Sequence, residues 1–96
     1  MNKEELINEV SNVSSKLTNR IDQLGQSLTQ PEVKGTKHER SIQELLTQAT
    51  AYGIAVVELV KAVNNQQLKS IAEVNSSIEL IESVKKFLAL TDRLFD

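Results

Sequence analysis

Apolar residues recur along the first quarter of the chain at Leu6, Val10, Val13, Leu17, Ile21, Leu24 and Leu28. Steps of three and four put them on one face of an α-helix. From Val10 onward they also repeat every eleven residues, a period that asks for a nearly straight seam rather than a left-handed coil. The spacing therefore predicts a first helix over about 3–28. Asn2 is its candidate cap, and Glu4 and Glu5 lie in its first turn, where carboxylates oppose the positive end of the helix dipole. The remaining positions are mostly Asn, Ser, Thr and Gln, whose side chains compete for the backbone, so packing on the one stripe must hold this helix.

The stretch "TQPEVKGTKHERS" then breaks the pattern with Pro31 and Gly35, and 30–36 reads as an inter-helix loop. Thr36 stands three residues before Glu39, the spacing of a capping box, so a second helix is predicted over about 37–64. Along it Ile42, Leu45, Ala49, Tyr52, Val56, Leu59 and Val63 form an unbroken heptad seam. Leu46, Thr50, Gly53, Val57 and Val60 form a second seam about 100° away. Two seams imply two neighbouring helices.

A third predicted helix, about 68–95, carries Ile71, Val74, Ile78, Ile81, Val84, Leu88 and Leu94 inward, broadened by Leu80, Phe87 and Phe95. It is divided from the second at Asn64 and Asn65, residues that readily take the left-handed conformation ending a helix, with Ser70 and Glu73 as a fresh capping box. A break near Asn75 and Ser76, or one continuous helix, is the competing arrangement. The expected fold is all-α, a single domain over 1–96. It is an antiparallel three-helix bundle with coiled-coil-like seams, the alternative being a long helical hairpin.

The outward row of the second helix changes the picture. Glu44, Gln48, Ala51, Ile54, Ala55, Glu58 and Lys61 should face water, yet residues 45–57 carry no charge. Two flanking helices cannot cover a third apolar side, so Ala51, Ile54, Ala55 and Glu58 form a candidate partner-binding patch. The same thirteen uncharged residues fall short of the roughly 20 that cross a bilayer.

Composition narrows the function classes. Hydrophobic residues make up 40% of the chain and aromatic ones 3%, so the core must be aliphatic. A formal charge of −2, with scattered Lys and Arg, provides no stripe for a phosphate backbone, and no nucleic-acid partner is expected. With no cysteine there is no disulfide framework and no thiolate metal site. The single His38 has no second ligand at metal-binding spacing and reads as a solvated residue. The glycines are Gly25, Gly35 and Gly53, and none belongs to a phosphate-binding loop. The acidic residues Glu44, Glu58, Glu73, Glu79 and Glu82 fall on outer faces, where carboxylates keep helices soluble. Neither an enzyme nor a cofactor or small-molecule substrate is expected. Gly53 with Ala49 makes a small-xxx-small pair, which favours close backbone approach by a neighbour over a ligand site. Tyr52 reads as core with its hydroxyl at the edge. The charged start "MNKEELINEV" is unlike a secretory signal and points to a cytoplasmic chain, with export by another route open.

The small acidic helical chain, the glycine-bearing loop after its first helix and the tail "LALTDRLFD" together resemble the small WXG100-like partner proteins of type VII secretion that accompany LXG-type toxins. The tail positions Leu88, Thr91, Asp92 and Leu94 are similar to an aromatic-xxx-Asp export feature. The resemblance implies partner-binding roles for Leu88 and Asp92 and a chaperone-like association with a larger protein. It departs from the pattern in that Leu88 is not aromatic, Val33-Lys34-Gly35 replaces Trp-x-Gly, and three predicted segments exceed a plain helical hairpin. The sequence thus predicts a non-catalytic protein-interaction module that buries helix faces against itself or a larger protein. An immunity or inhibitor protein acting on a cognate toxin or enzyme is the alternative.

Overall fold

The computed structural model describes residues 3–65 and 71–94. Among them every regular element is a helix: α1 (Lys3–Ser27), α2 (Lys37–Asn64) and α3 (Ile71–Asp92). The three pack up, down and up into a rod 48 Å long and about 20 Å across. That length is little more than the roughly 42 Å of the 28-residue α2 itself. Helix α1 lies between the others in contact terms, since α2 and α3 both pack on it while meeting each other sparsely.

The helix boundaries follow local chemistry. Gly35 holds a positive φ of 78°, a backbone shape that costs glycine nothing. Thr36 caps α2, its hydroxyl accepting from the His38 amide at 3.2 Å and donating to the Val33 carbonyl at 2.6 Å. Both bonds of the expected capping box are displaced by one residue, since the hydroxyl takes the His38 amide rather than that of Glu39 and the Glu39 carboxylate accepts from the Gly35 amide at 2.6 Å. His38 itself is exposed in the first turn of α2. At the other end Asn65 caps α2 with φ −92° and ψ 7°, its amide reaching the Lys61 and Val63 carbonyls. It therefore ends the helix without the expected left-handed conformation. Helix α3 runs unbroken through Asn75 and Ser76. The proposed caps at Asn2 and Ser70, and Phe95, lie outside the described residues.

Two packing expectations change. Helix α1 buries Leu6, Val10, Val13, Leu17, Arg20 and Leu24, steps of 4, 3, 4, 3 and 4, while Ile21 and Leu28 are only half-buried. Its working seam is thus a heptad one with an arginine in it, rather than the eleven-residue stripe. The reason is that packed neighbours select the 3.5-residue period, and Arg20 can join because its head finds polar partners. Helix α3 likewise buries Ser77, Ile81, Val84, Leu88 and Thr91 at heptad spacing, with Phe87 beside them. Ser77 and Thr91 satisfy their hydroxyls on their own helix, at the Glu73 and Phe87 carbonyls (both 2.9 Å). Leu94, expected inside, is exposed, since α3 ends at Asp92 and Leu94 falls in the turn that follows.

On α2 the first seam behaves as expected. Ala49, Val56, Leu59 and Val63 are buried, and Tyr52 tilts against Phe87 of α3 with ring centroids 5.5 Å apart. The second seam does not fill: Leu46, Gly53 and Val60 are half-buried, while Thr50 and Val57 are exposed. Two neighbours were expected, but α3 sits mainly on α1 and leaves this side of α2 open.

Candidate functional site

That open side is where the chain keeps apolar surface in water. Ile54 is 63% exposed and Val57 49% exposed. Ala51 and Glu58 are exposed beside them and Ala55 is half-buried. The four α2 residues read as a partner-binding patch therefore lie together on one uncovered face. Val57 joins them although it had been placed in the second seam.

A groove of about 500 Å³ runs along this face between α1 and α2. Ile21, Gly53, Ile54 and Val57 supply its apolar wall, Thr18 and Thr50 its small polar rim. Ser14 and Thr18 on α1 and Gly53 on α2 are the small residues along it. A Cβ added at Gly53 would meet the Ile21 Cδ1 at 3.4 Å. What approaches Gly53 is thus the tip of one flexible side chain, not the neighbouring backbone that the small-xxx-small spacing suggested.

Leu88 and Asp92 are not part of this face. Leu88 is buried, 7% exposed, in the seam between α1 and α3. Asp92 receives a hydrogen bond from the Arg20 guanidinium, which also donates to the Thr91 hydroxyl at 2.6 Å and to the Leu88 carbonyl at 3.4 Å. A second ion pair joins the same two helices, Lys85 Nζ to Glu9 Oε2 at 2.5 Å. The hydrogen bond that Lys85 donates to the Glu9 carboxylate raises its pKa above the ordinary lysine value, and partial burial opposes the rise. These charges line a polar groove of about 610 Å³ in which they answer one another.

Arg20 escaped the sequence reading because an isolated arginine among Asn, Thr and Asp looks solvated. Its one signal is the heptad phase it shares with Val13, Leu17 and Leu24. Thr91 and Ser77 carry the same weak signal. Among the described residues no group of three His, Cys, Asp or Glu side chains could hold a metal ion.

By length and composition alone α2 is long and apolar enough to cross a membrane, with an 18-residue window of mean hydropathy 1.2, although the count of uncharged residues put it short. Core helices of soluble bundles reach the same value. Only 22% of that window is buried in the fold, which restates that α2 carries uncovered apolar surface. Comparison with protein-family models, with curated proteins and with solved structures finds no match to this chain.

Proposed function

We propose that the chain is a non-catalytic protein-interaction module whose recognition surface is the outer face of α2 and the groove beside it. The observation that carries this is Ile54, 63% exposed at the middle of a face without charge from 45 to 57. Isolated apolar residues on a surface mean little, but Ile54, Val57, Ala51 and half-buried Ile21 are contiguous and are rimmed by Thr18, Glu58 and Lys61. Covering them would gain about 25 cal/mol for each Å² of apolar area removed from water, less the cost of ordering the partners. In this reading Leu88 and Asp92 seat α3 on α1 and leave recognition to α2. A small helical partner of a larger secreted protein, the setting the tail resemblance implies, is one place where such a module would serve.

The test is site-specific crosslinking in cells. A photoreactive amino acid at Ala51 should give adducts of defined mass that disappear when Ile54→Asp is added, while the same probe at exposed Asn8 of α1 gives none. Identical adducts from both positions, or adducts indifferent to Ile54→Asp, would refute the assignment. Ile54 contributes little to the core, so circular dichroism should report unchanged helicity in the variant.

A further inference from the structure

The outer face of α2 contains a third heptad stripe: Glu44, Thr47, Ala51, Ile54, Glu58 and Lys61, spaced 3, 4, 3, 4 and 3, with all six residues exposed. The order of these six residues is self-complementary on reversal. We infer that the occupant of this face is a second copy of the same chain, its α2 packed antiparallel about a two-fold axis that passes between Ala51 and Ile54. The inference rests on the reading of this face as a recognition surface and adds the identity and direction of the partner.

In an antiparallel pair of heptad helices the two kinds of seam position alternate across the interface, so residues whose numbers share one sum meet. With the axis between Ala51 and Ile54, Ile54 of each copy meets Ala51 of the other, a large side chain against a small one. Glu58 meets Thr47, and Lys61 meets Glu44. Each contact occurs twice. Apolar pairs occupy the centre and opposite charges close both ends, roughly 25 Å apart along the helix. A parallel pair in register would instead set Glu44 on Glu44, Glu58 on Glu58 and Lys61 on Lys61, three like-charge contacts that disfavour it. The charge order thus selects the antiparallel direction. Glu44 already pairs with Arg40 on its own helix at 3.7 Å, an exposed contact that leaves its second oxygen for Lys61 of the other copy. Val57 borders the same stripe and the α1–α2 groove, so the interface extends toward Ile21 and Thr18. The apolar centre is small, which places the dimer among weak interfaces, with dissociation constants on the order of micromolar.

Sedimentation equilibrium of the purified full chain from micromolar to millimolar concentration tests this. The expected result is a reversible monomer–dimer equilibrium that Ile54→Asp abolishes with helicity unchanged. Lys61→Glu should weaken dimerisation roughly tenfold at low salt, since it replaces two attractive contacts with two repulsive ones. Adding Glu44→Lys to Lys61→Glu should restore it. A chain monomeric throughout, or a dimer indifferent to Ile54→Asp, overturns the inference. Failure of the double charge reversal to restore association overturns the antiparallel register. A monomeric chain that still forms Ile54-dependent adducts with a different protein in cells would sink the second copy while leaving the recognition face standing.

Discussion

Helix α1 meets its two neighbours through different chemistry. Toward α2 the contact is aliphatic, with Leu17 and Val56 buried at the floor of the groove and Ile21 over Gly53. Toward α3, Val13 and Leu88 share the seam with Arg20, Thr91 and Asp92, and Glu9 reaches Lys85. Apolar contact is non-directional, so the α1–α2 side supplies energy while leaving the exact register loosely specified. A guanidinium donating to a hydroxyl, a carbonyl and a carboxylate has one good position. Sliding α3 by one turn, about 5.4 Å, would strip those partners from a residue that is 8% exposed. One side holds the bundle together, and the other fixes where α3 sits.

The largest effect should come from the aliphatic side. Leu17→Ala is expected to cost about 3 kcal/mol, since it empties a site 1% exposed, whereas Val57→Ala at 49% exposure should cost under about 0.5 kcal/mol. Urea denaturation compares them, and equal losses would mean that Val57 is covered in solution. The polar side makes a more pointed prediction. Asp92→Ala removes the carboxylate while leaving the guanidinium buried, at a cost of about 1–2 kcal/mol given that Asp92 is itself half in water. Arg20→Met removes the charge instead, and Thr91 keeps its bond to the Phe87 carbonyl. It should therefore cost less than Asp92→Ala or even stabilise. If the clamp acts on register, α3 amides in Arg20→Met should exchange faster than those of α1 at unchanged global stability. A larger global loss from Arg20→Met than from Asp92→Ala would show the clamp to be a principal source of stability.

Glycines sharpen the same contrast. Gly25 has nothing within 4 Å of a built Cβ and Gly53 only the Ile21 tip at 3.4 Å. Both lie in helices, so Ala at either should stabilise by up to about 1 kcal/mol, seen as a raised denaturation midpoint. Gly53→Ala should gain less, because Ile21 must adjust. A loss at Gly53 would restore the close approach that the spacing suggested.

Where sequence and structure agree, the determinants are local. Pro31, Gly35 and the Thr36–Glu39 spacing mark the loop and the start of α2 within a few residues, and the α2 seam shows its period directly. The uncharged stretch at 45–57 likewise makes Ala51 and Ile54 conspicuous, because a missing charge is visible without knowing the fold. Arg20 is the opposite case. Its partners lie 71 and 72 residues away, and nothing near it in the chain distinguishes a buried arginine from a solvated one. Leu88 and Asp92 drew partner-binding roles from the resemblance of a short motif, and their burial and pairing depend on α1. The unfilled second seam of α2 has the same origin, since the lean of α3 toward α1 is decided by contacts that no single helix encodes.

The smallest effect concerns the second ion pair and runs with pH. Hydrogen bonding to Glu9 raises the Lys85 pKa in the folded chain above its ordinary 10.5. The folded state therefore holds this proton more tightly than the unfolded state, and the contribution is fully present below about pH 10.5. It is lost as pH rises through the folded-state value. Both partners are partly exposed, so the pair adds at most a fraction of a kcal/mol and is screened by salt. Lys85→Met should accordingly be slightly less stable than the parent chain near neutrality and converge with it in strong alkali, where the parent lysine is neutral. The two chains differ only at residue 85, so the difference between parent and variant isolates this pair. A gap that stays constant through the alkaline range would assign the effect of Lys85 to the packing of its hydrocarbon stem along α1 rather than to its charge.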